Sequence, residues 1–281
     1  MKTMELTNLR DFNLEHIFEC GQCFRWKKCK DESYTGIIKN GVVNIKMQGK
    51  EQAVLKYEFL QDDPEVIYQY FDLNRDYSVI KSLFSKEDVN MKEAMQYGEG
   101  IRILKQDPWE MIVSYIISAA NNIPRISKTI ENIARAYGKK IIFEGEEYFL
   151  FPSPEELSKA SIGELRELNL GFRDKYVYEA TQLVVSKQID LEKIKQMKYP
   201  LAKQELMKLN GVGEKVADCI LLFSMDKMEA FPIDTWIRKV MTELYGTPNT
   251  VKDIKICAQT KFGTYAGIAQ QYLFYYMREN N

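Results

Sequence analysis

The sequence predicts an α+β protein, with an N-terminal antiparallel sheet in residues 1–90 and a mainly helical body in residues 91–281. Two patterns and a set of breaks carry that reading. Up to about residue 90, apolar side chains alternate with polar ones, the period of a half-buried strand; from about Met91 they recur three and four apart, the period of a helix. Phe151-Pro152-Ser153-Pro154 and Leu209-Asn210-Gly211-Val212-Gly213 then separate one helical run from the next.

Within the first part, Asn40-Gly41 lies between YTGII and VVNIKM, the dipeptide favoured in a two-residue type I′ turn, so a hairpin turning at 40–41 is expected. Val43, Ile45 and Met47 alternate with Asn44 and Lys46, and Leu55, Tyr57 and Phe59 with Lys56 and Glu58. That is a meander with one buried face. A short acidic helix is expected over about 63–71. In the second part, Trp109, Ile112, Val113, Ile116 and Ile117 share a helix face behind Asp107-Pro108, an N-cap followed by a first-turn proline. Phe172, Tyr176, Ala180, Leu183 and Val184 make a second stripe, and Ile237, Val240, Met241 and Leu244 a third. There is no internal repeat.

Net charge is −1 over 281 residues, which argues weakly against a nucleic-acid partner. The charge is uneven, however. Residues 51–76 are acidic, whereas the segment with Lys203, Lys208 and Lys215 is richer in lysine, and phosphate meets only local charge. No apolar run approaches the roughly 20 residues that span a bilayer, and no apolar stretch follows the N-terminal lysine. The expectation is a cytoplasmic monomer without a membrane partner, nucleoid-associated in a bacterium. Five cysteines, an odd count, argue against a disulfide framework. His16, Cys20, Cys23 and Cys29 make a Cys3His set on paper, but a strand would point alternate members apart, so zinc is not expected.

Residues 204–223, QELMKLNGVGEKVADCILLF, place two helical patterns around a glycine-containing turn. Gly211 and Gly213 let the chain turn tightly, and the second helix then opens with free N–H groups that can grip a phosphate. A lone G-x-G would be an ordinary turn between helices. Here Leu209, Gly211, Val212 and Gly213 are followed by Lys215, and nineteen residues later by Asp234 in Phe231-Pro232-Ile233-Asp234. This pattern resembles the helix-hairpin-helix DNA glycosylase superfamily. The chemistry fits such residues: a carboxylate stabilises the oxocarbenium-like sugar as the base leaves, and an amine traps the sugar carbon as a Schiff base. Lys215 and Asp234 are the candidates. Asp234 also precedes the stripe that begins at Ile237, so it can equally be an N-cap.

Three further segments resemble the 8-oxoguanine branch. Gly21-Gln22-Cys23-Phe24-Arg25-Trp26 is similar to its G-Q-x-F-R-W motif, which implies that the Gly21 carbonyl accepts from the N7–H that 8-oxoguanine has and guanine lacks. Cys219, one turn from Lys215, is implied to line the base pocket. Gln270 and Phe274 are implied to read the Watson–Crick edge and to stack on a flipped base. Asn121-Asn122-Ile123-Pro124-Arg125 and Gly171-Phe172-Arg173 resemble the segments that fill the vacated helix. Arg125 and Arg173, with Asn121 and Asn122, would face the orphaned cytosine, and Phe172 would wedge into the stack.

The resemblance further implies backbone contact at Gly211, Val212 and Gly213, and a monovalent cation on the Leu209 and Val212 carbonyls, with no side-chain metal ligand. Three positions depart from the branch: Ala120 replaces an asparagine, Phe172 a tyrosine, and Trp236 a phosphate-contacting histidine. The expected activity is excision of 8-oxoguanine from double-stranded DNA with strand cleavage, requiring no cofactor. Relatives acting on oxidised pyrimidines or on adenine commonly carry a C-terminal four-cysteine iron–sulfur cluster. Only Cys257 follows Cys219 here, so that cluster cannot form. The alternative from another class is a non-catalytic hairpin DNA binder, against which the Lys215–Asp234 pair speaks.

Overall fold

The computed structural model describes residues 1–61, 63–84 and 87–280. Strands β1 (Lys2–Leu6), β2 (Lys27–Lys28), β3 (Tyr34–Ile38), β4 (Gly41–Met47) and β5 (Ala53–Phe59) form an antiparallel sheet in the order β1-β5-β4-β3-β2. Ile38 pairs with Gly41, so the two-residue turn is Lys39-Asn40, one position earlier than the Asn-Gly signal suggests. Lys39 itself takes the left-handed conformation, at φ 48°. Gly41 is needed inside the strand instead. A Cβ there would lie 1.7 Å from the Phe59 ring, which belongs to its partner across the sheet.

Val43, Ile45, Leu55 and Tyr57 bury against Leu6, Ile17, Phe18, Ile67 and Phe71, as alternation requires. The other face is not simply solvated. Ile37 and Val42 pack on Ile141, Phe143 and Leu150, from and beside the hairpin β6 (Lys140–Phe143)–β7 (Glu146–Phe149), which sequence pattern did not reveal. The expected acidic helix is Glu65–Tyr70, and a further helix, Tyr77–Leu83, lies within the part read as strands.

In the helical body, the Asp107 carboxylate accepts from the Glu110 N–H at 2.9 Å and caps helix Pro108–Ser118. All five residues of the expected stripe on that helix are buried. Helix Asp174–Val185 begins after Phe172, which is exposed rather than part of the buried stripe. Helix Thr235–Glu243 buries Ile237, Val240 and Met241. The C-terminal helix Ala266–Glu279 packs against it and against helix Val89–Tyr97. One apolar cluster joins these helices and includes Leu209 and Val212 of the hairpin. Each such burial contributes about 1.5–3 kcal/mol.

Candidate active site

Helix Glu214–Ser224 opens directly after the hairpin, with Gly213 at its N-cap and no capping side chain, so its first N–H groups lack intrahelical partners. Gly211 adopts φ +86°, and a Cβ there would press on the Tyr176 ring at 2.9 Å. Gly213 faces open space. The Leu209 carbonyl accepts from the Val212 N–H at 3.0 Å, which leaves one lone pair on that oxygen. The two hairpin helices are tied by Lys203, which donates to Asp218 at 2.6 Å, and by the Tyr199 hydroxyl, which donates to the same carboxylate at 2.7 Å. Lys203 is therefore a buried ion-pair partner rather than part of a basic face, and Lys208 pairs with Glu205 at 2.7 Å.

Lys215 stands in the first turn of helix Glu214–Ser224, its ammonium 5.5 Å from the centre of the Tyr115 ring. Cys219 is one turn further on; burial pushes its thiol up to about 11, with Lys215 pulling back, so it stays protonated. Asp234 caps helix Thr235–Glu243 by accepting from the Ile237 N–H at 2.8 Å. Burial raises its carboxyl above the ordinary value, while the Ile237 N–H and the Lys215 charge oppose that rise. Asp234 is thus an N-cap whose carboxylate also feels Lys215. Trp236 is half-buried on the same helix and packs against the core.

Gly21 adopts φ +82° directly beside the C-terminal helix. A Cβ would meet the Arg278 guanidinium at 3.1 Å and the Phe274 ring at 3.3 Å. Its neighbours are pinned on both sides. Gln22 is fully buried; its amide donates to the Ile17 carbonyl at 2.9 Å and the Arg102 carbonyl at 2.8 Å, and accepts from the Leu104 N–H at 2.9 Å. The Cys20 carbonyl accepts from Gln271 at 2.5 Å, and the Glu19 carbonyl from Arg278 at 2.5 Å. Gln22, Gln271 and Arg278 were not singled out from sequence. For Gln22 and Gln271 the signal was an amide within a mainly apolar run; Arg278, in the polar C-terminal stretch, carried none.

These segments meet at a small cavity of about 60 Å³, lined by Gly21, Tyr115, Lys215, Cys219, Phe223, Pro232, Asp234, Gln270, Gln271 and Phe274. Every residue expected for catalysis or base reading is among them. Tyr115 and Phe223 were not expected. The Gln270 side-chain oxygen is buried there without a hydrogen-bond partner among the described residues. Phe274 is half-buried with the Arg278 guanidinium 5.4 Å from its ring centre.

A second group lies apart from that cavity. Asn122 caps helix Ile123–Tyr137 by accepting from the Arg125 N–H at 3.1 Å. Asn121 donates to the Ile117 carbonyl at 3.1 Å. Arg173 is buried and donates to the Ala119 carbonyl at 2.9 Å and to the Ala120 carbonyl at 3.1 Å, with its guanidinium 4.3 Å from the Phe172 ring centre. Phe172 is 62% exposed, and Arg125 is exposed. Burial, then the positive charge of Arg125, lowers the pKa of Arg173. Two neighbouring cations beside a bare aromatic ring suit a partner rich in acceptors or negative charge.

Among the described residues, no three His, Cys, Asp or Glu side chains gather as a metal site. His16 instead places Nδ1 2.7 Å from the Glu99 carbonyl, and Cys20 and Cys23 are buried thiols. No helix among the described residues is long and apolar enough to cross a membrane.

Residues 6–112 match the family described as 8-oxoguanine DNA glycosylase, N-terminal domain, and residues 113–262 the HhH-GPD superfamily base excision DNA repair protein. The chain is 32% identical to a probable N-glycosylase/DNA lyase of Methanothermobacter thermautotrophicus, over 96% of this chain and 95% of that protein. It is 30% identical to the N-glycosylase/DNA lyase of Saccharomyces cerevisiae, over 95% and 84%. It superposes on the Clostridium acetobutylicum 8-oxoguanine glycosylase/lyase, crystallised with double-stranded DNA containing cytosine opposite 8-oxoguanine. The TM-score is 0.94 at 42% identity, covering 99% of this chain and 96% of that one. The chain therefore belongs to the 8-oxoguanine DNA glycosylase family of helix-hairpin-helix base excision repair proteins.

Proposed function

We infer that this protein is a bifunctional DNA glycosylase and lyase that removes 8-oxoguanine from duplex DNA. The observation that carries the reading is one cavity presenting an amine, Lys215, a carboxylate, Asp234, and an unpaired amide oxygen, Gln270 Oε1. Half-buried Phe274 lines this cavity and is the ring that stacks on the base.

In the flipped state, the Gly21 carbonyl accepts from N7–H and Gln270 pairs with the Watson–Crick edge, while Cys219 lines the pocket beside Lys215. As the bond from C1′ to the base breaks, electrons pass to the base, and the Asp234 carboxylate stabilises the positive sugar. Lys215 gives up its ammonium proton to the departing base and the freed amine bonds to C1′; one of its two remaining protons passes to the ring oxygen O4′ as the sugar ring opens, leaving a protonated Schiff base. Loss of a C2′ proton then expels the 3′ phosphate. Arg125, Asn121 and Asn122 face the orphaned cytosine, and Phe172 wedges the stack. Arg173 has five N–H donors, four of them directed at the Ala119, Ala120 and Leu170 carbonyls, which leaves one for the cytosine.

Gly211, Val212 and Gly213 hold a backbone phosphate; the Leu209 and Val212 carbonyls would hold a monovalent cation, which would supply positive charge to that phosphate, and Trp236 stands where the motif this chain resembles has a phosphate-contacting histidine. Residues 1–90 contribute the Gly21 contact and residues 91–281 the chemistry. The protein acts as a monomer in the cytoplasm, on the nucleoid in a bacterium, without a cofactor or iron–sulfur cluster.

The test is incision of a duplex with one 8-oxoguanine opposite cytosine. Purified protein should release the base and cut the strand; a non-catalytic binder would shift the duplex without cutting it. Asp234→Asn should keep DNA affinity yet lose about 10²–10³-fold in excision, the scale seen when one transition-state stabiliser is removed. Undiminished excision in that variant would remove Asp234 from the chemistry.

A further inference from the structure

Buried polar atoms without partners are scarce in folded proteins, and two belong to side chains lining this cavity: Gln270 Oε1 and the Tyr115 hydroxyl. The glutamine oxygen is accounted for by the Watson–Crick edge of the base. The tyrosine hydroxyl has no role in the mechanism above.

Tyr115 is 3% exposed, and its ring is held from several sides. Phe24 meets it edge-on at 5.6 Å, Phe223 stacks at 6.0 Å, and the Lys215 ammonium lies 5.5 Å from its centre. A ring clamped in this way keeps its hydroxyl aimed before any substrate arrives. Burial, followed by the nearby thiols of Cys219, Cys23 and Cys20, holds the phenol well above its ordinary pKa, so it remains a neutral donor. Tyr115 lines the cavity together with Cys219 and Gly21.

The lesion differs from guanine at two adjoining atoms: N7 bears a hydrogen, and C8 bears a carbonyl. Gly21 answers the first. The C8 oxygen is an acceptor that loses its water on entering the pocket and needs a donor there. Lys215 is required as a neutral nucleophile, the Gln271 amide is engaged by the Cys20 carbonyl, and a thiol is a weak donor. We propose that Tyr115 is a specificity-determining residue whose hydroxyl donates to the C8 carbonyl of 8-oxoguanine, so that the pocket reads both atoms that mark the lesion. With guanine, the hydroxyl stays unpaired while the Gly21 carbonyl meets the N7 lone pair.

This rests on the cavity being the base pocket, and the experiment separates the two. Tyr115→Phe removes one oxygen and keeps the ring. Single-turnover rates are measured for excision from an 8-oxoguanine duplex and for cleavage of the same duplex with an abasic site, which has no base to read. The ratio of the two rates should fall about tenfold in the variant, the value of one net hydrogen bond. Equal losses in both rates would mean that the hydroxyl supports Lys215 or the fold and would overturn the proposal, as would an unchanged ratio with full activity. If wild type cleaves the abasic duplex but leaves 8-oxoguanine in place, the base-pocket reading itself fails.

Discussion

At the level of single side chains, selectivity for the base opposite the lesion turns on Ala120 and Phe172. Ala120 sits at φ +49°, and its carbonyl accepts from Arg173 at 3.1 Å, while its side chain offers no polar group. Phe172 presents a ring without a hydroxyl beside the same guanidinium. Cytosine is favoured by donors aimed at its acceptors and left unpaired by a wrong base. Arg125 and Arg173 keep such donors, whereas an amide and a hydroxyl are missing relative to the segments this chain resembles. The protein should prefer cytosine yet tolerate adenine or thymine. Ala120→Asn with Phe172→Tyr should sharpen the preference several-fold, at about 1 kcal/mol per added hydrogen bond. Asparagine also accepts a positive φ better than alanine, so the variant should fold. Single-turnover excision on four duplexes differing only in the opposing base measures this. A wild type already strict for cytosine, with no gain in the variant, would mean that the arginines suffice.

The secondary-structure elements differ in how legible they were. The hairpin was readable because it needs small residues and apolar packing at fixed places: Leu209 and Val212 are buried, and Gly211 is strained for any other residue. Lys215 and Asp234 were readable from their spacing to it. Tyr115 was not, because it lies within the continuous buried run of helix Pro108–Ser118 and reads as core. Strand β6 was missed because four residues are too few to establish a period. Gly41 was misread as a turn residue because sequence does not distinguish a glycine that bends the chain from one that makes room for Phe59. Lys203 looked like surface charge, since its partner Asp218 is fifteen residues away.

The two hairpin glycines should separate by experiment. Gly211→Ala must adopt φ +86° against Tyr176 and should lose on the order of 1–2 kcal/mol or more, seen as a lower melting temperature. Gly213→Ala meets nothing within 4 Å and weakens only the N-cap, so it should lose less stability than Gly211→Ala while affinity for undamaged duplex falls. Wild-type DNA binding by Gly213→Ala would show that the phosphate is not held there.

Across the whole molecule, the sheet and the helical body are joined at Arg25, four residues beyond Gly21. Its guanidinium donates to the Phe149 carbonyl at 2.5 Å and reaches Glu131 at 3.3 Å and Glu110 at 4.0 Å. Burial raises the Glu110 carboxyl from 4.5 to about 7, against the pull of Arg25. The folded state therefore binds this proton more tightly than the unfolded one. Its contribution is fully present below pH 4.5 and is lost as pH rises through about 7. Melting temperature should fall between about pH 4.5 and 7 in wild type and fall less in Glu110→Gln; equal slopes would mean that another group titrates. The same junction helps to bring Gly21 to a cavity completed by Lys215, Asp234, Gln270 and Phe274, so the chemistry depends on the assembled chain rather than on the hairpin alone. Borohydride trapping on a duplex with one 8-oxoguanine asks whether that assembly makes Lys215 the nucleophile. Wild type should become covalently joined to the DNA and Lys215→Gln should not, and an undiminished adduct in the variant would contradict the mechanism.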